Sequence, residues 1–359
     1  MNTTAGKTAN ATEIGLVLQG GGALGAYEYG GITALLDLID EAEKLGRDIR
    51  LKVVTGVSIG AINAACLVGA RDRADARTRL KALWHDLTID ALPFVPSAIS
   101  SNVALWYVPH FYMFQPTLTC LYDTQALLPT LRNRVDFDAL NKSATTFAVT
   151  AADIGSGQLI RFANKKLGDT PAITIEPEHV LASGSLAPQF PWTEIADKDG
   201  KPHYYWDGGL IDNTPLGDVF DAFSADDNVD RLIVVMNLFP LQAGLPTSFA
   251  QVNDRVNQLR FGNRLRQDTE NARQINMLIS TIEQLIPYAP QPLQEEISKK
   301  YRAYKQVNPI EISLSADEGY GDADGFRDFS RDGIEKRRRI GRDITFATLG
   351  PIFNLKAAA

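Results

Sequence analysis

The 359-residue sequence predicts an α/β fold, one large domain of alternating buried strands and helices with an appendage behind it. Three observations carry that expectation. Residues 14–18 are an apolar run that feeds a glycine loop and then a helical pattern. Residues 51–55, mostly apolar and β-branched, feed Gly56-Val57-Ser58-Ile59-Gly60 and then small helix formers over residues 61–67. Residues 231–238 form a further apolar strand before Pro240 and a Gly/Pro-containing linker.

Composition narrows the function classes. Hydrophobic residues make up 45% of the chain, enough for a sizeable core, and the net charge of −7 argues against a general nucleic-acid binder. Two cysteines, Cys66 and Cys120, form no metal spacing and no disulfide framework, so a reducing, cytoplasmic setting is expected. Residues 1–12 are Thr/Ala/Asn-rich without an apolar core, which predicts a disordered tail rather than a signal peptide.

Taken in order, residues 14–18 predict the first strand and residues 26–43 the first helix. Between them stands Gln19-Gly20-Gly21-Gly22-Ala23-Leu24-Gly25. Several backbone N–H groups left free at a helix start make an anion site. Gly20, Gly22 and Gly25 also satisfy the dinucleotide fingerprint, which would imply a nucleotide-dependent oxidoreductase. That fingerprint wants an acid closing the second strand, whereas this strand closes on Thr55-Gly56-Val57-Ser58. The glycines therefore fit better as an oxyanion hole. Strand, G-x-S-x-G and helix in succession are the context of a nucleophile elbow, which lifts a serine hydroxyl clear of the sheet. Gly56 and Gly60 flank Ser58 because so tight a turn leaves no room for side chains there.

Residues 71–79 read as a charged, exposed stretch. Residues 91–122 then contain no Asp, Glu, Lys or Arg at all. Pro93, Pro96, Pro109 and Pro116 break any single helix, so this is not a membrane span. Two readings stay open: a buried apolar insertion, or the wall and lid of an acyl groove in which Trp106, Phe111 and Tyr112 touch substrate. Asp123 is a helix cap for residues up to 131. Residues 145–152 and 158–162 predict two strands joined by a tight turn, and residues 177–183 a helix. Residues 204–206 predict a short strand that ends in Asp207-Gly208-Gly209, a carboxylate presented at a strand end. Two helices are expected over residues 248–273 and 275–286, a strand over 307–314, and a last helix over 334–349. Lys336, Arg337, Arg338, Arg339 and Arg342 predict a solvated basic face, with attraction to anionic lipid as the other reading.

Gly20-Gly21-Gly22-x-x-Gly25, Gly56-x-Ser58-x-Gly60 and Asp207-Gly208-Gly209, in that order, resemble the patatin-like phospholipase family. The stretch Ala182-Ser183-x-Ser185-x-Ala187-Pro188 is similar to the segment before that family's acid. The resemblance covers residues 13–218. It implies a three-layer α/β/α sandwich around a mixed sheet, hydrolysis of lipid acyl esters, and a Ser–Asp dyad. Carried over by position, Ser58 is the nucleophile, Asp207 the base, Gly20, Gly21 and Gly22 the oxyanion hole, and Gly208 and Gly209 the acid-motif glycines. It implies no metal and no cofactor, a lipid or fatty-acyl ester as substrate, and peripheral contact with a membrane. The family usually carries Arg or Lys where this chain has Leu24. Residues 13–240 are then the catalytic domain, and residues 241–359 a mainly helical extension packed on it.

The histidines offer an independent check. Of His85, His110, His179 and His203, none follows Asp207, so the order Ser…acid…His is not available with that acid. Asp153 with His179 keeps a triad order open. A non-catalytic lipid-binding module on the same fold is the remaining alternative.

Overall fold

Apolar side chains alternate in direction along the central strands, and that alternation fixes two helical layers. In β1 (Ala11–Leu18) Ile14, Leu16 and Leu18 enter one core, while Val17 enters a second core with Val53, Ile233 and Val235. The computed structural model describes residues 11–88, 119–120, 127–223, 226, 228–239, 242–301, 308–314 and 325–353. Trp106, Phe111 and Tyr112 lie outside the described residues.

Among the described residues, eight strands form one mixed sheet. β1, β2 (Ile49–Gly56), β3 (Thr146–Asp153), β7 (Val229–Asn237) and β8 (Pro309–Ser313) run parallel in the spatial order β3-β2-β1-β7-β8. β4 (Leu159–Ala163) and β6 (Pro202–Asp207) pair antiparallel with β3, and β5 (Thr193–Ala196) closes that edge on β6. The first core lies under α1 (Gly25–Lys44), α2 (Ile59–Val68), α3 (Arg73–Asp86), α4 (Leu127–Arg134), α5 (Phe137–Lys142) and α6 (Pro177–Ser183). Leu216 and Val219 of α7 (Leu216–Ala222) and Leu265 of α8 (Phe249–Leu285) cover the other face. α9 (Gln291–Tyr301) and α10 (Arg331–Leu349) complete the α-helices among the described residues. The three-layer α/β/α arrangement around a mixed sheet is the expected one.

The chain departs from the sequence reading at four places. β1 begins at Ala11, inside the expected disordered tail, because Thr12 and Glu13 pair with both neighbouring strands and Glu13 meets Lys52 at 3.1 Å. Within the charged stretch 71–79, helix α3 already begins at Arg73, capped by Asp72, which accepts from the Asp75 N–H at 2.8 Å. The two helices expected from residue 248 to 286 are one helix, α8, since no Gly or Pro interrupts residues 271–274. The basic cluster of α10 is solvated only in part: Lys336 and Arg339 are exposed, but Arg337 is buried against Asp328 at 3.1 Å, and Arg342 meets Asp37 at 2.7 Å.

α10 lies directly on α1, backbone against backbone. A β-carbon on Gly30 would overlap the Arg338 carbonyl, and one on Gly341 would overlap the Tyr27 carbonyl. Replacing Gly341 by Val should therefore separate the helices and lower the melting temperature, whereas Gly217→Ala should not. Gly217 sits exposed in α7 with open space around its Cα, and alanine there should add up to about 1 kcal/mol. Thermal melts of the two variants beside the parent check both expectations.

Candidate active site

The sheet register brings four strand ends to one height. Leu18 pairs with Gly56, Gly56 with Val149, and Ala151, two residues further along β3, with Asp207. The glycine loop after β1, Ser58 after β2 and Asp207 at the end of β6 therefore meet along one edge of the parallel strands. The hydrogen-bonding pattern of the strands alone sets this convergence.

Ser58 is held at φ 54° and ψ −123°, and among the described residues no other non-glycine has positive φ. Such backbone costs on the order of 1–3 kcal/mol and persists only when its surroundings enforce it. Here they do. The Val57 N–H donates to the Leu18 carbonyl at 3.1 Å, the Gly60 N–H to the Val57 carbonyl at 2.8 Å, and the Ser58 N–H to the Ser183 Oγ at 3.0 Å. A β-carbon on Gly60 would stand 2.5 Å from the Leu18 carbonyl, and one on Gly56 would strike the Gly60 carbonyl. Both glycines are thus required by close approach of the backbone, as the motif spacing implies.

The Asp207 carboxyl is buried, at 2% exposure, and faces the Ser58 side chain. Its Oδ1 also accepts from the Gly209 N–H at 2.7 Å, which explains a glycine at that position of the turn. Burial pushes its pKa up to about 7, against the smaller lowering effects of those two donors. The Asp207 N–H donates to the Ser185 carbonyl at 3.0 Å. Ser183, the last residue of α6, and Ser185, just beyond it, therefore tie the backbone of Ser58 to that of Asp207.

The glycine loop lies against the serine. A β-carbon on Gly20 would come within 2.9 Å of the Ser58 Cβ. Three donors are expected here, but the Gly20 N–H is already given to the Asn213 Oδ1 at 3.0 Å, while the Asn213 Nδ2 donates back to the Gly20 carbonyl at 3.0 Å. Gly20 is thus a fixed hinge, and the Gly21 and Gly22 N–H groups have no hydrogen-bond partner among the described residues. Gln19 completes the brace. Its Nε2 donates to the Thr214 Oγ1 at 2.6 Å, and its Oε1 accepts from the Leu238 N–H at 2.8 Å. Motif spacing does not single out Gln19, Asn213 or Thr214. The available signal is their polar character in segments that are otherwise buried and apolar, directly before the glycines and after the acid motif.

Among the described residues, no histidine is paired with Ser58. Asp153 faces the His203 Nδ1 at 3.2 Å rather than His179, and the His203 Nε2 faces Asp197 at 3.3 Å. The His179 Nδ1 accepts from the Glu176 N–H at 2.9 Å, which makes it a helix cap, and its ring packs on Phe162. Leu24 is fully buried at the start of α1 and brings no cation to the loop. Among the described residues no helix is long and apolar enough to cross a membrane.

A family model described as patatin-like phospholipase matches residues 16–220. No curated protein matches the sequence. Among solved structures, VipD from Legionella pneumophila is similar at 15% identity and a TM-score of 0.42, over 98% of this chain and 69% of that one. Human GIVD cytosolic phospholipase A2, in complex with methyl gamma-linolenyl fluorophosphonate and terbium chloride, is similar at 11% identity and a TM-score of 0.46, over 96% and 59%. ExoU of Pseudomonas aeruginosa, in its complex with SpcU, is similar at 18% identity and a TM-score of 0.32, over 73% and 52%. The chain thus spans little more than half the length of the last two.

The buried carboxyl has a signature in stability. Asp207 has a folded pKa of about 7, above the value of about 3.9 expected in the unfolded chain. The folded state therefore binds the proton more tightly, so its contribution to stability is present below pH 4 and lost as pH rises through 7. Asp207→Asn removes that ionisation. It should melt above the parent at pH 8, and the gap should close as the pH falls towards 4, in thermal melts across that range.

Proposed function

The chain belongs to the patatin-like phospholipase family, and on that footing we propose that it is a serine lipid acyl hydrolase working through a Ser58–Asp207 dyad. The observation that carries this reading is a carboxyl held out of water and placed beside the Ser58 side chain. An ordinary aspartate, with a pKa of about 3.9, is too weak a base at neutral pH. A carboxyl titrating near 7 is matched to the task, because general-base efficiency is greatest with a pKa near the working pH.

The reaction is acyl transfer to water. Asp207 takes the Ser58 proton while Oγ forms its bond to the ester carbonyl carbon. The carbonyl π electrons move to oxygen, and the Gly21 and Gly22 N–H groups receive that charge. Donors of this kind are worth roughly 2.7–4 kcal/mol each where they have been removed from other enzymes. Collapse of the tetrahedral species breaks the bond to the leaving alkoxide, which takes the proton from Asp207. Water, deprotonated by Asp207, then attacks the acyl-serine; the bond between Oγ and the acyl carbon breaks, Oγ takes the proton back from Asp207, and the fatty acid is freed. We assign this chemistry to residues 13–240 and the remainder, 241–359, to a part that packs on that unit through β8 and α10. We place the protein in the cytoplasm, meeting its lipid substrate by peripheral contact with the membrane.

Two measurements test the dyad. Ser58→Ala should lose hydrolysis of p-nitrophenyl esters and labelling by a fluorescent fluorophosphonate while keeping the parent's melting temperature within a few degrees. Asp207→Asn should lose about as much activity as Ser58→Ala, since residues acting as one unit are not additive. In the parent, kcat/KM should rise with pH and reach half its plateau near pH 7, where Asp207 loses its proton. A profile flat from pH 5 to 9 would remove Asp207 from the role of base.

A further inference from the structure

One buried acid takes no part in the dyad, and its partners are the two elements that the dyad needs in register. Glu28, on the first turn of α1, is fully buried. Its Oε2 accepts from the Asn63 Nδ2 at 3.0 Å, and the backbone N–H of Gln19 faces the same carboxyl. Asn63 stands on α2, five residues after Ser58, and is also fully buried. Its Nδ2 donates further to the Gly25 carbonyl at 3.1 Å, and its Oδ1 accepts from the Trp84 Nε1 at 3.0 Å. Gln19 is the residue that opens the glycine loop.

We propose that Glu28 is a positioning residue, which through Asn63 and the Gln19 N–H sets the distance between the Gly21–Gly22 donors and the Ser58 hydroxyl. The proposal rests on the oxyanion-hole reading given above. Packing alone does not explain an acid here, because an apolar side chain of similar size would avoid desolvating a carboxyl. No cation faces it within its hydrogen-bond set, and burial keeps it protonated well above the usual carboxylate range. Its Oε2 accepts from the Asn63 Nδ2, beside the Gln19 N–H. Those donors belong to the loop after β1 and the helix after β2, which β-sheet pairing joins only as far as Leu18 and Gly56. Beyond that point, the Glu28–Asn63 link is a polar contact that fixes one against the other across the packed start of α1. Its Oε1 has no hydrogen-bond partner among the described residues, so the carboxyl is held for what Oε2 does.

The test compares Glu28→Leu, Glu28→Gln and Asn63→Ala with the parent and Ser58→Ala, using a p-nitrophenyl ester and a fluorophosphonate. Misplacing donors by a fraction of an ångström should lower kcat by roughly ten- to a hundredfold in Glu28→Leu, with KM within about threefold. Fluorophosphonate labelling should slow in parallel, because the phosphonyl oxygen uses the same donors. Glu28→Gln keeps an acceptor oxygen of the same reach and should restore most of the loss. Should Glu28→Leu fail to fold, Asn63→Ala carries the same expectation of reduced kcat at unchanged KM. Unchanged kcat in whichever of the two folds, even with a lowered melting temperature, would make the link merely structural. Equal loss in the Gln and Leu variants would also overturn the proposal. An active Ser58→Ala would instead refute the serine-hydrolase reading itself, whatever Glu28 does.

Discussion

A carboxyl held out of water at the height of Ser58 is the constraint on which the rest of the structure depends. Desolvation moves Asp207 to about 7, and the cost of its charge is offset only by the Ser58 hydroxyl and the Gly209 N–H. Every nearby element serves to deliver that carboxyl dry and in contact. β6 must run antiparallel to β3 and stop opposite Ala151, and the turn that follows must fold tightly enough for the Gly209 amide to reach back. Gly208 is part of the same demand, since a β-carbon there would stand 2.5 Å from the Thr150 carbonyl. A protein selected for stability alone would not bury this acid without a cation.

Strain on the other side of the site is held in the same way. Ser58 keeps positive φ because the strands, the two close-packed glycines and the Ser183 hydroxyl leave it no alternative. The ties that matter are long in sequence: Asn213 to Gly20 spans 193 residues, Gln19 to Leu238 spans 219, and Ser58 to Ser183 spans 125. They join loops that no strand pairing reaches. Sheet register brings the loops to one height, and these side chains then fix their separation. The same dependence on close approach holds α10 on α1 through two glycines.

The local motifs were legible in the sequence because their spacing reports local backbone demands. Gly56 is forced by Gly60, four residues on, and Gly209 by its turn back to Asp207, so the motifs could be read locally even though Gly60 and Gly208 are also tight against Leu18 and Thr150. The hairpin of β3 and β4 and the helix over residues 177–183 were legible for the same reason. What could not be read is set by distant contacts. Nothing within the basic run of α10 indicates that Arg337 turns inward to Asp328. Nothing near Gly20 indicates that its amide is spent on Asn213 and so leaves the donor set. Thr12 lacks an apolar pattern, yet it sits in a strand because two neighbours offer it hydrogen bonds.

The central claim is that the Ser58 oxygen, the Asp207 carboxyl and the Gly21–Gly22 amides form one reacting unit. A crystal structure of the protein after treatment with a fluorophosphonate tests this most directly. The account predicts a phosphonyl group bonded to the Ser58 Oγ, with its charged oxygen about 2.7–3.1 Å from both the Gly21 and Gly22 nitrogens. Phosphorus on any other side chain would contradict it, as would an adduct at Ser58 whose oxygen points away from those two amides.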